Sequence, residues 1–293
     1  MGCATARVEY LRARFVEFEM QNRPQDAGPV TEGEGAPPSS LPRIVSVSGE
    51  ALGEVHEGIP GTHADEHETK FGFDVGRLPG VLGRLRARCR PDPRHPEGII
   101  RSIYYDDHRW TFVEEKRNSD FLKTKVRLRW YARVDSGEPL GTGFLEAKFK
   151  LGSCRRKLRL ETDLAATTIA RLPLDGPELA TIPQLLAQEG SGFRGVLPGP
   201  LLPAFEIEYH RRRFVEPRSG ARLSIDSSIR VSRVNARRMP PSREIAFPRA
   251  VLEVKGEFQE LPPILRDLNP LGCRKEAFSK YGACFEWLDE AVL

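Results

Sequence analysis

Three cations occupy alternate positions in Lys125-Val126-Arg127-Leu128-Arg129-Trp130. A β-strand sends successive side chains to opposite faces, so these cations share one face and Val126, Leu128 and Trp130 the other. The alternation recurs in Leu145-Glu146-Ala147-Lys148-Phe149-Lys150, in Arg155, Lys157 and Arg159, and in Leu252-Glu253-Val254-Lys255. Between Arg101 and Leu160 there are 15 Lys/Arg against eight Asp/Glu, so the cations concentrate where these strands lie. On a single strand the pattern describes a solvated sheet face with weak surface pairs. Repeated on consecutive strands it is self-repelling, unless the charges surround something anionic. Arginine offers a planar fork of donors and lysine a point charge, and both suit phosphate oxygens.

Two carboxylates sit among the cations. Glu146 and Glu253 each precede a lysine by two residues, Lys148 and Lys255, on the same strand face. They either pair with the cations or hold a hard divalent ion that bridges to phosphate. Both readings leave a phosphate-rich ligand, and only the second adds chemistry. No persuasive Ser-His-Asp or Cys-His arrangement occurs; His108 and His210 read as structural or strand-end residues. The basic strands lack an RNA-recognition signature and an evident base-stacking platform, so no nucleic-acid partner is expected.

The elements that must position these groups are mostly strands. Ile99–Tyr105, Lys125–Tyr131, Phe144–Lys150, Arg155–Leu160, Phe205–His210, Arg222–Asp226 and Ala250–Lys255 are short and bounded by turn residues. Leu78, Leu82, Leu85 and Cys89 repeat at helical spacing, with Pro79 suited to a first turn. Residues 168–188 read as a helical insertion, and Phe278, Tyr281, Phe285 and Leu288 mark a closing amphipathic helix. The expected fold is α+β: a closed antiparallel β-tunnel with flanking helices.

Residues 1–67 stand apart. Residues 1–23 carry a short amphipathic pattern, while Pro24–His67 hold eight acids and a single basic residue, Arg43. That composition reads as a disordered acidic linker, with the folded domain spanning 68–293. The 293 residues carry a net charge of +4, with 39% hydrophobic and 29% charged residues, the balance of a soluble globular chain. No apolar run approaches the roughly 18 residues needed to cross a bilayer. Five cysteines without a CxxC pair argue against a disulfide framework or a structural zinc, and for a reducing compartment. The expectation is a cytoplasmic protein, with room for peripheral attachment at the inner face of a membrane.

Six segments in order resemble the VTC domain, the polyphosphate polymerase branch of the triphosphate tunnel metalloenzymes. They are Glu68-Thr69-Lys70-Phe71, Ile100-Arg101-Ser102-Ile103-Tyr104-Tyr105-Asp106, Lys125-Val126-Arg127-Leu128-Arg129-Trp130-Tyr131, Leu145-Glu146-Ala147-Lys148, Leu252-Glu253-Val254-Lys255 and Phe278-Ser279-Lys280-Tyr281. The resemblance implies a tunnel of eight strands that binds ATP and inorganic polyphosphate. It also implies transfer of the γ-phosphate to the polymer with Mn2+ or Mg2+, and a separate membrane protein as a partner. It places Lys70, Arg127, Arg129, Lys148, Arg211, Arg222 and Lys280 on the triphosphate, with Lys125, Arg155, Lys157, Lys255 and Ser279 as further substrate contacts. Glu253, and Glu146 with it, would be the metal ligands. The run Arg211-Arg212-Arg213 is more basic than usual, which leaves the register of that strand open. Water as acceptor would make the same site a phosphohydrolase, and a site without turnover would be a polyphosphate- or inositol-phosphate-binding module.

Overall fold

A computed structural model of the chain describes residues 44–46, 67–118, 122–151, 154–187, 199–239, 245–257 and 260–290. The helix expected within residues 1–23 lies outside them, as does the linker except for residues 44–46 and His67. The elements, in chain order, are β1 (Ile44–Ser46), β2 (His67–Asp74), α1 (Leu78–Arg88), β3 (Arg90–Pro91), β4 (Glu97–Asp106) and α2 (Thr111–Arg117). There follow β5 (Leu122–Ala132), β6 (Pro139–Leu151), β7 (Cys154–Ala165), α3 (Ala166–Arg171) and α4 (Pro177–Thr181). The chain then forms β8 (Leu202–Val215), β9 (Arg222–Val234), β10 (Ile245–Ala246), β11 (Arg249–Gly256), α5 (Ile264–Leu268), β12 (Arg274–Lys275) and α6 (Lys280–Glu290).

Among the described residues the strands join one antiparallel sheet of twelve, ordered β1-β7-β6-β5-β4-β8-β9-β11-β2-β12, with β10 on β9 and β3 on β8. The seven strands expected from the sequence are present and longer than expected. An eighth, β2, carries the same alternation, with Glu68 and Lys70 against Phe71 and Phe73. The closed eight-stranded tunnel is a correction: the ten strands of the path form an open ladder. The edges that closure would need to join are taken by short strands. β1 pairs with Glu161 and Thr162 of β7, and β12 with Phe71 and Gly72 of β2.

The ladder nonetheless curls. Lys70 on β2 and Lys125 on β5 lie five strands apart, roughly 24 Å on a flat sheet at about 4.8 Å per strand. Their ammonium groups reach adjacent residues of one segment: Lys70 Nζ donates to the Phe278 carbonyl at 3.5 Å and Lys125 Nζ to Ser279 Oγ at 3.1 Å. Only a sheet bent into a trough brings both to the same place. Gly72 lets the trough wall carry its edge contacts, because a Cβ there would lie 1.8 Å from Glu276 Oε1. Glu276 uses that space to bind Arg249 at 2.9 Å.

The apolar core lies mainly on the convex side, where the period-2 pattern sends the aliphatic residues. Ile103, Val126, Leu128, Trp130, Leu145 and Leu160 pack against Ile169 of α3, Leu179 of α4 and Ile182. Phe71, Phe73, Leu223, Ile225, Leu252 and Val254 pack against Val81, Leu82 and Leu85 of α1 and Ile264 and Leu268 of α5. Each such fully buried side chain contributes about 1.5–3 kcal/mol relative to exposure. With its grease committed outward, the sheet leaves its concave face for charge.

Helix α6 closes one end of the trough. Tyr281 stacks on Tyr104 (4.9 Å, 8°) and on Phe205 (5.2 Å, 27°), and its hydroxyl donates to buried Asp106 at 2.8 Å. The helix starts at Lys280, two residues later than its sequence pattern, because Ser279 Oγ accepts the Gly282 N–H at 3.4 Å and caps it.

Candidate functional site

Register decides which side chains share the concave face, since directly opposite residues point the same way. Arg127 lies opposite Tyr104 on β4 and Glu146 on β6; Glu146 lies opposite Arg159 on β7. Lys148 lies between Lys125 and Lys157. Across the trough, Arg211 on β8 lies opposite Asp226 on β9, and Glu253 on β11 opposite Lys70 on β2. Arg222, Lys255 and Glu68 form one cross-strand row. The described residues expected at the site therefore occupy one face, together with Lys280 and Ser279 from the closing segment. Arg155 is opposite Lys150 in the ladder, but its side chain lies outside the described residues.

The arginine-rich strand has a definite register. Arg211 faces the trough and forms a two-pronged pair with Asp226 (2.6 and 2.7 Å). Arg212 points to the convex side, toward Ser227 Oγ (3.4 Å) and Glu97 (3.6 Å). Arg213 returns to the trough face and donates to the His95 carbonyl at 3.1 Å. His210 is on the convex side, 3.2 Å from Glu97.

Two classes of cation line the trough. The first is held by carboxylates. Glu146, 3% exposed, takes Arg127 on Oε2 at 2.6 Å, Arg129 on the same oxygen at 3.6 Å and Arg159 on Oε1 at 3.4 Å. Burial disfavours its charge, but these three guanidinium groups outweigh that and hold the carboxyl well below the usual range. Arg127 and Arg129 are likewise raised against the cost of burial by Glu146. Asp226, fully buried, is bonded to Lys280 as well as Arg211, and both cations keep it ionised despite burial. Lys280 also sits 4.6 Å above the Tyr209 ring.

The second class has no carboxylate at ion-pair distance among the described residues. Burial, then the charges of Lys70, Arg127 and Lys148, push Lys125 down to about 7. Burial and Arg127 push Lys148 down to about 8. The Lys148 side chain is open to solvent although protein surrounds it, as expected of a wet trough. Solvent access tempers its shift and leaves the direction intact. These lysines are short of negative charge, and phosphate oxygens would supply it.

The two expected metal ligands differ. Both oxygens of Glu146 are occupied by arginine, which does not fit a metal ligand. Glu253 pairs with Lys255 at 2.9 Å and lies 3.8 Å from Arg211, and Glu68 shares Lys255 at 3.8 Å. Two hard oxygen donors around one displaceable ammonium suit a divalent cation. No group of three or more His, Cys, Asp or Glu able to hold a metal occurs among the described residues. A cation there would take its remaining ligands from phosphate and water.

Single-strand reading of the sequence left out Arg159's role, Tyr104, Tyr209 and Asp226. Tyr104 and Tyr209 hydroxyls accept from Arg127 (3.2 Å) and Arg129 (3.1 Å). Asp226 shares strand parity with Arg222 and Ser224, the one signal that could have found it.

Among the described residues no helix is long and apolar enough to cross a membrane. Cys89, Cys273 and Cys284 are free and buried. No curated protein matches the chain. Among solved structures, a Bacillus halodurans protein described as a candidate adenylate cyclase aligns over 73% of this chain and 93% of its own. The identity is 12% and the TM-score 0.38, a likeness that carries no argument. The sequence profile of the VTC domain, by contrast, matches residues 65–288, which takes in β2 through β12, most of α6, and so the described trough. The chain belongs to the VTC domain family.

Proposed function

We propose that this protein binds a nucleoside triphosphate and inorganic polyphosphate in the trough and transfers the γ-phosphate of ATP to the polymer. The observation that carries the reading is the charge imbalance of one concave face. Lys70, Lys125, Arg127, Arg129, Lys148, Lys157, Arg159, Arg211, Arg213, Arg222, Lys255 and Lys280 share that face with the carboxylates Glu68, Glu146, Glu161, Asp226 and Glu253.

Phosphoryl transfer asks for in-line positioning and neutralisation of oxygen charge more than for covalent help. The rigid arginines, fixed by Glu146 and Asp226, give a preorganised cradle for the triphosphate. Lys125, Lys148 and Lys280 supply charge around the transferred group. A terminal oxygen of the acceptor phosphate forms the new bond to Pγ, and the Pγ–O bond to the β-phosphate breaks, leaving ADP with the electron pair. That acceptor oxygen is already ionised near neutral pH, so no general base is required. Glu253, with Glu68, would hold a Mn2+ or Mg2+ ion, which would neutralise phosphate charge when bound.

The test is incubation of the purified protein with γ-labelled ATP and Mn2+, with the products sized on a gel. A ladder of labelled polymer and stoichiometric ADP is expected. Labelled orthophosphate alone would make the protein a phosphohydrolase. Binding without ATP consumption would make it a binding module.

A further inference from the structure

One arginine outside the expected site, Arg90, extends a cross-strand row of the trough at the end where β8 finishes. β3 pairs with β8 so that Arg90 stands opposite Val215, and Val215 stands opposite Arg222, which stands opposite Lys255. Opposite residues share a face, and the neighbouring pair confirms the parity: Pro91 stands opposite Phe214, which is buried in the convex core. Arg90 therefore continues the concave row, two strand spacings, roughly 10 Å, beyond Arg222.

The turn after β3 is held rigidly against the same strand. Asp92 accepts the N–H groups of Arg94 (3.0 Å) and His95 (2.7 Å) and donates its own N–H to the Arg213 carbonyl at 3.0 Å. Arg213 N–H in turn donates to the Pro96 carbonyl at 2.7 Å, and its guanidinium to the His95 carbonyl. Arg90 and Arg94 are exposed and make no ion pair among the described residues. Inside the trough, by contrast, Arg127, Arg129, Arg159 and Arg211 are all neutralised by carboxylates. Arg90, uncompensated and in line with the cationic trough, is placed to meet an anion that extends past it, with Arg94 exposed on the fixed turn that follows.

We propose that Arg90 and Arg94, beside Arg213 and Arg222, form an outer lip that binds phosphates of a linear polyanion too long for the trough, so that the protein favours long inorganic polyphosphate over short. The inference rests on the proposed function and deepens it by naming a chain-length preference and the residues that set it. A short chain fills the trough and never reaches the lip. A long chain gains the extra charge-assisted contacts, and their counterion release makes its binding steeper in salt.

The test compares tripolyphosphate with polyphosphate of many tens of units by calorimetric titration at several salt concentrations. The proteins are the full wild-type chain, R90A/R94A, R90K/R94K and Arg127→Ala, each checked for its melting temperature. In R90A/R94A the long chain is expected to lose roughly tenfold in affinity. Its log K against log salt slope is expected to fall by between about 1 and 2. Tripolyphosphate binding should not change, and the lysine variant should recover most of the loss. Arg127→Ala should weaken both ligands. Equal losses for both ligands in R90A/R94A, or no loss for either, would overturn the lip. A wild-type protein that binds neither ligand would instead overturn the proposed function. Sedimentation with phosphatidylserine vesicles that disappears in R90A/R94A while long-chain affinity holds would reassign the surface to a membrane and also overturn the lip.

Discussion

Lys125 Nζ donates to Ser279 Oγ at 3.1 Å, so the most basic strand of the sheet is tied directly to the cap of the closing helix. The lysine at this joint has four cationic neighbours, Lys70, Arg127, Lys148 and Lys116, and no carboxylate at ion-pair distance among the described residues, and burial with these charges holds it near 7. A ligand that brings negative charge would return its proton.

Binding should therefore take up protons. At pH 8 the free protein has Lys125 largely neutral and Lys148 partly so, and bound phosphate charges both. Calorimetric titration with tripolyphosphate in two buffers of different ionisation enthalpy should show net uptake at pH 8, and affinity should fall as pH rises beyond that. Identical heats in both buffers would remove the two lysines from the binding face.

Replacing Lys125 with Met should trade binding for stability. A depressed lysine binds fewer protons folded than unfolded between about pH 7 and 10.5, so the folded state is penalised at the acid side of that window. Lys125→Met removes the penalty. The melting temperature of the free protein at pH 7 should rise by a few degrees, at about 2–4 °C per kcal/mol. Triphosphate affinity should fall at least tenfold. A lower melting temperature would mean that the ammonium stabilises the free fold.

The two acids should separate by readout. Glu146→Gln leaves three buried guanidinium groups without their anion, a loss of about 3–5 kcal/mol in stability. Glu253→Gln should instead shift the Mn2+ titration of turnover to higher concentration. A metal titration that moves with Glu146 and not with Glu253 would exchange their roles.

The latch of α6 should weaken more in base than in acid. Asp106 is raised to about 6 by burial, partly offset by the N–H groups of Phe112 and Asp107 and by the Tyr281 hydroxyl. Because the folded value is raised, its stabilising contribution is present below about 4 and is lost as pH climbs through 6. Above that point the ionised group depends on its donors. Tyr281→Phe should cost about 1–3 kcal/mol at pH 8 and less at pH 5, read from melting curves. Equal losses at the two pH values would show that Asp106 does not change its charge in that range.

Parity within a strand was legible because it needs only the period of 2, and it correctly put Arg127, Glu146, Lys148 and Glu253 on one face. Closure was not legible. It depends on what occupies the β7 and β2 edges, and β1 and β12 are three and two residues long. The pairing of Glu146 with three arginines was also hidden, since it joins strands 13 or more residues apart through register. Arg211-Arg212-Arg213 shows both limits: alternation is visible in the run, but its phase came only from Asp226 on the next strand.

The central claim is that the concave face takes the triphosphate. Tripolyphosphate titrated into wild type, Arg127→Ala and Arg84→Ala decides it, Arg84 being exposed on α1 on the convex side. Wild type and Arg84→Ala should bind alike, and Arg127→Ala should lose at least tenfold while still melting cooperatively. Equal binding by a folded Arg127→Ala protein, or an equal loss in Arg84→Ala, would contradict the account.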